Sequence, residues 1–271
     1  MNSKVLTLDD RISIKDKRKN SLGPKGHVKI YAKGTNVLMW EGWNKVVVDG
    51  SMFTASKHFD LVPPINLPSY NTELALDNSQ AIDPEKRKQS LVYLFCVGTS
   101  GCGAENSQVY DVDYTSWIKP EDLVPFRYQL KNNDLGDALR EKYFGRKEVT
   151  ALNRVAYYFK AFDADPQFKS QYIDGTPITA TIYDSDNKMD VETFVELKLS
   201  ITKDDCRDFF IAHQGINDAK INTISLCTAY PVVINGITYY QEIRPLTRLN
   251  FPNESLIDLT KGIDIIYDLF Y

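Results

Sequence analysis

Residues 95–107 read FCVGTSGCGAENS, an apolar run that meets Gly98, Gly101 and Gly103 with Cys96 and Cys102 interleaved. A glycine-rich loop straight after a strand can cradle phosphate on converging amides, expose a nucleophile, or only reverse the chain. The phosphate chemistry needs a helix start and usually a lysine beyond the loop, but Ala104, Glu105 and Asn106 follow here. Neither G-x-x-x-x-G-K-[ST] nor G-x-S-x-G is matched. A strand-terminating turn is the reading these residues favour. Cys96 lies inside the apolar run, where a thiol behaves as a small hydrophobe, and a reactive thiolate would need a basic or histidine neighbour that is absent locally.

The other chemistry-bearing residues are dispersed. Cys96, Cys102, Cys206 and Cys227 are too sparse for a disulfide framework, so free thiols are expected. His27, His58 and His213 are far apart, and no Cys or His pair has zinc-site spacing. The acidic stretches at 111–114 (DVDY) and 184–190 (DSDNKMD) invite a calcium reading. The second has Met189 where an EF-hand loop needs glycine and Val195 where it needs glutamate, so it reads as an exposed turn. Glu121, Asp122, Asp134 and Asp137 form no paired-carboxylate motif. No catalytic residue, cofactor or metal is therefore expected.

Composition describes the chain that must carry these residues. The 271 residues are 43% hydrophobic and 25% charged, proportions that fit a folded chain rather than a disordered one. No apolar run approaches a membrane span and the N-terminus lacks a signal peptide's apolar core, so a soluble protein without a membrane partner is expected. Charge is uneven. Residues 1–26 carry seven Lys/Arg against three Asp, a balance of +4, which leaves −8 on the remainder of a chain whose net charge is −4. The basic arm suits a subunit contact. The clusters at 15–19 and 86–88 lack the interleaved aromatics that stack bases, so direct nucleic-acid contact is not the preferred reading.

The pattern of elements is mainly β. Strands are expected in 27–32 and 36–50 around a turn at Gly34, Thr35 and Asn36, then a short helix over 51–62 capped by Ser51 and ended by Pro63 and Pro64. Residues 63–90 read as a long polar connection, and 91–98 as a strand buried on both faces. A helix over 136–144, strands near 155–163, 177–184 and 191–206, and a helix over 203–213 that overlaps the last of them follow. The C-terminal part reads as a strand, a hairpin at Asn235 and Gly236, a second strand, a short helix over 253–260 and a closing strand. The expected fold is a β-sandwich-like domain over 27–271 with a few short helices, preceded by an extended arm, residues 1–26.

Several of these stretches resemble a group of tailed-bacteriophage structural proteins. HVKIYAKGTNVLMWEGWNKVVVDGSMFTASKHF (27–59) is similar to their opening strand pair and small helix. The glycine loop falls where they carry VGT-G, ahead of an insertion ending near VPFRY (124–128). INTISLCTAY, ITYYQEIRPLTRLNFP and IDIIYDLFY resemble their ending. The resemblance implies a non-enzymatic virion subunit of the tail, baseplate, neck or collar. It would be made in the host cytoplasm and would work through contacts with copies of itself in a ring and with other tail or neck proteins. Candidate interface residues are Lys15, Lys17, Arg18 and Lys19 in the arm, Lys86 and Arg87 in the long loop, the aromatics Trp43, Tyr70 and Tyr110, and Arg127, Arg244 and Arg248. Core packing is the alternative for Trp40, and strand-edge salt bridges for the arginines. The alternative function is a carbohydrate-binding or fibre-type module with exposed aromatics.

Overall fold

The computed structural model describes residues 25–71, 73–103, 108–112, 117–172, 174–178, 191–213, 215, 219–255 and 262–270. The first half contains β1 (Lys25–Ala32), β2 (Leu38–Trp43), β3 (Lys45–Val46), α1 (Val48–Phe59), β4 (Ser69–Tyr70), β5 (Leu76–Asp77), α2 (Pro84–Gln89), β6 (Leu91–Gly98), β7 (Leu123–Val124) and β8 (Arg127–Leu130). The second contains α3 (Asp137–Arg140), β9 (Tyr143–Val149), β10 (Arg154–Ala161), β11 (Gln167–Tyr172), β12 (Val191–Thr202), α4 (Arg207–His213), β13 (Lys220–Ile234), β14 (Ile237–Pro245), β15 (Thr247–Ser255) and β16 (Gly262–Phe270).

Two antiparallel sheets result, so the chain is mainly β, as its sequence implied. The smaller has the order β11-β12-β16-β1-β2. Its strands alternate because only one face is buried: Val28 and Ile30 of β1, Leu197, Leu199 and Ile201 of β12, and Ile263, Ile265, Tyr267 and Leu269 of β16 enter the core. The larger runs β5-β4-β14-β13-β6-β10-β8, with β15 beside β13, β7 beside β6 and β9 beside β10. It is buried on both faces. Phe95 and Val97 of β6 meet the smaller sheet, while Leu94 and Cys96 enter a second cluster with Phe144, Phe159, Cys227 and Ile243. That two-sided burial is why residues 91–98 lack polar alternation.

β13, β14 and β15 form one long hairpin. Asn235 and Gly236 turn it with φ of 53° and 80°, as an Asn-Gly pair between apolar runs predicts. Pairing with β13 continues across Leu246, whose N–H donates to the Leu226 carbonyl at 2.8 Å.

Other expectations need correction. β1 begins at Lys25, within the segment read as arm, and residues 1–24 lie outside the described residues. α1 begins at Val48 with no side-chain cap and ends at Phe59, because Asp60 takes a left-handed φ of 51° before the prolines are reached. The 63–90 connection is not one loop: it holds the β4–β5 pair and α2, whose Asp83 caps the amides of Glu85 and Lys86 ahead of Pro84. The helix expected over 136–144 is a single turn, and Tyr143 already belongs to β9. The helical part of 203–213 starts only at Arg207, and β15 runs into the helix expected at 253–260. The strand at 177–184 and the acidic stretch 184–190 lie almost wholly outside the described residues. No helix among the described residues is long and apolar enough to cross a membrane.

Candidate functional site

Three alternate amides of the glycine loop are already bonded within the chain and do not converge on an open phosphate site. The Thr99 N–H donates to the Asp122 carbonyl at 3.1 Å, Gly101 to Asn222 Oδ1 at 2.6 Å and Gly103 to the Gln108 carbonyl at 2.9 Å. Its carbonyls are held as well. Arg248 Nη2 donates to the Ser100 carbonyl at 3.4 Å and to its Oγ at 3.0 Å, Asn222 donates to the Thr99 carbonyl at 3.1 Å and Asn253 to that of Gly103 at 3.0 Å. A Cβ at Gly101 would collide with the Asn222 backbone carbonyl, so glycine is required by this close approach. The loop is a clamped turn.

All four cysteines are free and buried. Cys96 and Cys227 sit with sulfurs 3.9 Å apart, and burial pushes the Cys96 and Cys206 thiols well above their ordinary range, the reverse of nucleophile activation. Among the described residues no group of three His, Cys, Asp or Glu could hold a metal.

A buried charged cluster lies among residues that carry no functional signal in their order along the chain. Lys160, within apolar β10, donates to Asp205 Oδ2 at 2.9 Å and to the Ser200 carbonyl at 2.7 Å. Asp205 also accepts from the Tyr143 hydroxyl at 2.8 Å and the Thr202 N–H at 2.8 Å, with Arg127 Nη2 3.3 Å away. The cluster ties the end of β12 in one sheet to β8, β9 and β10 in the other. Each group has partners inside the protein, so its geometry joins sheets rather than presenting an acid or base to a substrate.

The residues singled out as interface candidates divide by location. Lys15, Lys17, Arg18 and Lys19 lie outside the described residues. Trp43 is half-buried between the rings of His27 and Phe270, at 4.8 and 5.8 Å, and Tyr110 is exposed. Lys86 pairs with Glu242 at 2.7 Å. Tyr70 is buried, its hydroxyl donating to the Ile118 carbonyl at 2.7 Å. Arg127 belongs to the Asp205 cluster, Arg244 binds Glu242 at 2.7 Å over the Phe53 ring, and Arg248 holds the glycine loop. The charge of these arginines is used within the chain.

Arg87 is also buried, at 2% exposure, yet it serves a surface feature. Its guanidinium bonds Asp60 and donates to the Leu61 carbonyl at 2.6 Å, fixing the segment that leaves α1. That segment, residues 59–65 (FDLVPPI), exposes Phe59 at 74%, Leu61 at 61%, Val62 at 77% and Ile65 at 56%. Buried Leu67 anchors its far end. Leaving such side chains in water forgoes about 1.5–3 kcal/mol each, and their clustering makes the segment a candidate contact surface. Arg87→Met keeps the buried stem but removes both bonds, which is expected to weaken local closure by about 1–3 kcal/mol. Amide exchange in 59–66 should then quicken about tenfold or more, with the rest of the protein unchanged; equal exchange would refute the pinning role.

The second surface feature is a cleft of about 460 Å³ where β4, β9 and β14 converge over the outer face of the larger sheet. Its walls are aromatic: Tyr70, Phe144, Tyr157, Phe159, Tyr239 and Tyr240. Phe144 meets Tyr240 edge-on at 4.6 Å, and Tyr70 lies 5.3 Å from Phe159. Gly145, at φ 65°, lets β9 lie against the Phe159 ring, which any Cβ there would strike. Arg140 and Arg146 stand at the rim, both held by Asp134, at 3.4 and 3.0 Å. Burial would raise the Asp134 carboxyl, but bonds from Tyr157, the Leu135 amide and Arg146 hold it below its ordinary value. Burial and the Asp134 bond push the Tyr157 hydroxyl up to about 12, so it stays a donor at neutral pH. Arg146 Nη2 and Arg140 Nη1 have no partner among the described residues.

Comparison with protein-family models, with curated proteins and with solved structures finds no match.

Proposed function

We propose that this chain is a non-enzymatic structural subunit of a tailed-bacteriophage particle, joining neighbours into a symmetric ring of the tail, baseplate, neck or collar. The carrying observation is the 59–65 loop, apolar, exposed and held rigid by a buried arginine. A rigid apolar loop loses little entropy on docking, which is how a subunit gains affinity from a small surface. The clamped glycine turn, the inert thiols and the internally paired charges support a role without chemistry. The resemblance of the segments at 27–59, 98–101 and the C-terminus to phage structural proteins supplies the setting.

The double substitution Val62→Asp with Ile65→Asp tests this reading. Both side chains are already exposed, so stability should change by no more than about 0.5 kcal/mol. Sedimentation should nevertheless show assembly lost, and a variant that assembles as the parent does would contradict the loop's role.

A carbohydrate-binding module is the second reading, and the aromatic cleft is the observation in its favour. Stacking on Tyr239 and Tyr240 would carry it, rather than Trp43, which packs between two rings of its own chain.

A further inference from the structure

We propose that the aromatic cleft is the receptor for the 61–65 loop of a neighbouring copy, so that one chain's proline-bearing knob seats between β9 and β14 of the next. This rests on the assembly reading and specifies its contact.

The chemistry of the two surfaces matches. Val62, Pro63, Pro64 and Ile65 form a short segment that bends at Pro64 and Ile65, with φ fixed at both prolines and no N–H on either, a pre-ordered apolar knob for an aromatic-lined groove. The pyrrolidine and branched side chains offer flat apolar faces to Phe144, Tyr239 and Tyr240. The carbonyls of Val62, Pro63 and Pro64 have no hydrogen-bond partner among the described residues, and the two prolines supply no N–H between them, so the knob presents more acceptors than donors. The cleft rim presents the converse, since Arg140 and Arg146 each keep a terminal nitrogen unspent. Free carbonyls on the knob meeting unpaired guanidinium nitrogens at the rim would satisfy each other. A volume of about 460 Å³ suits a few side chains rather than a whole element.

Geometry adds a direction. Knob and cleft are different surfaces of one chain, so the contact is head-to-tail, and such contacts close into rings or run on as filaments. Arg87 and buried Leu67 pre-order the knob, while Gly145 and Asp134 pre-order the cleft. Neither surface requires refolding to engage.

The test uses two full-length variants and their mixture. The knob variant is Val62→Asp with Ile65→Asp. The cleft variant is Tyr239→Asp, at an exposed position, with Gln241→Trp as a second, cleft-filling version should the first fold poorly. Each alone should sediment as a monomer with parental circular dichroism. Mixed equimolar, they should form a one-to-one pair and stop, because only one productive junction remains. A labelled peptide DLVPPIN should bind the knob variant and bind the cleft variant roughly 30-fold more weakly, the scale of a hot-spot loss. If either variant assembles like the parent, or the mixture stays monomeric, the knob-in-cleft contact is wrong while the ring reading stands. If the unmodified chain is itself monomeric, the ring reading falls with it. Binding of a neutral oligosaccharide lost in the cleft variant, with its assembly intact, would assign the cleft to glycan instead.

Discussion

Asp205→Ala should lower the free energy of unfolding by about 3–5 kcal/mol, the cost of leaving a buried charge without its partner. Lys160 is almost fully buried and would keep only the Ser200 carbonyl of its two bonds, while the Tyr143 hydroxyl and Thr202 amide would also lose an acceptor. Total stability for a domain is about 5–15 kcal/mol, so the loss is a large fraction of the whole. Urea unfolding followed by fluorescence reads it directly. Replacing both ends with apolar residues, Lys160→Met and Asp205→Leu, should recover much of the loss, since an absent pair costs less than a broken one. A single-variant loss under about 1 kcal/mol would show that water reaches the cluster and that it does not tie the sheets together.

Arg248→Met is the second large effect. Methionine fills part of the stem's volume but brings no donor, and Arg248 supplies bonds to the Trp117 carbonyl at 2.8 Å, Ser100 Oγ at 3.0 Å and Asn250 Oδ1 at 3.1 Å. Stranded buried acceptors cost about 1–3 kcal/mol apiece before relaxation, so a loss of about 3–4 kcal/mol is expected. The effect should be local first, with amide exchange at Gly101 and Gly103 accelerating well before global unfolding. Unchanged exchange there would mean that Asn222 and Asn253 hold the turn without the arginine.

What could be read from residue order was whatever depends on neighbours in sequence. The Asn235 and Gly236 turn, the apolar β6 and the alternating β16 carry local signals strong enough to fix them. The inward direction of Arg87 and Arg248 could not be read, because their partners Leu61 and Ser100 lie 26 and 148 residues away, whereas Arg244 makes the strand salt bridge its sequence allowed, with Glu242 two residues before it. Nor could Lys160, whose aspartate is 45 residues distant. α1 starts at Val48, three residues ahead of Ser51, and no capping side chain announces that start. The cleft gathers residues from four separate stretches around 70, 143, 157 and 240, so no window of sequence contains it. The 59–65 loop was visible only as a helix end followed by prolines. Its exposure follows from where Arg87 and Leu67 pin it.

The central claim is that this chain works by joining copies of itself, and the mass of the unmodified full-length protein in solution tests it most directly. Sedimentation equilibrium across a dilution series should give a discrete species at an integer multiple of 30.9 kDa that dissociates on dilution. A mass of 30.9 kDa at every concentration would contradict it.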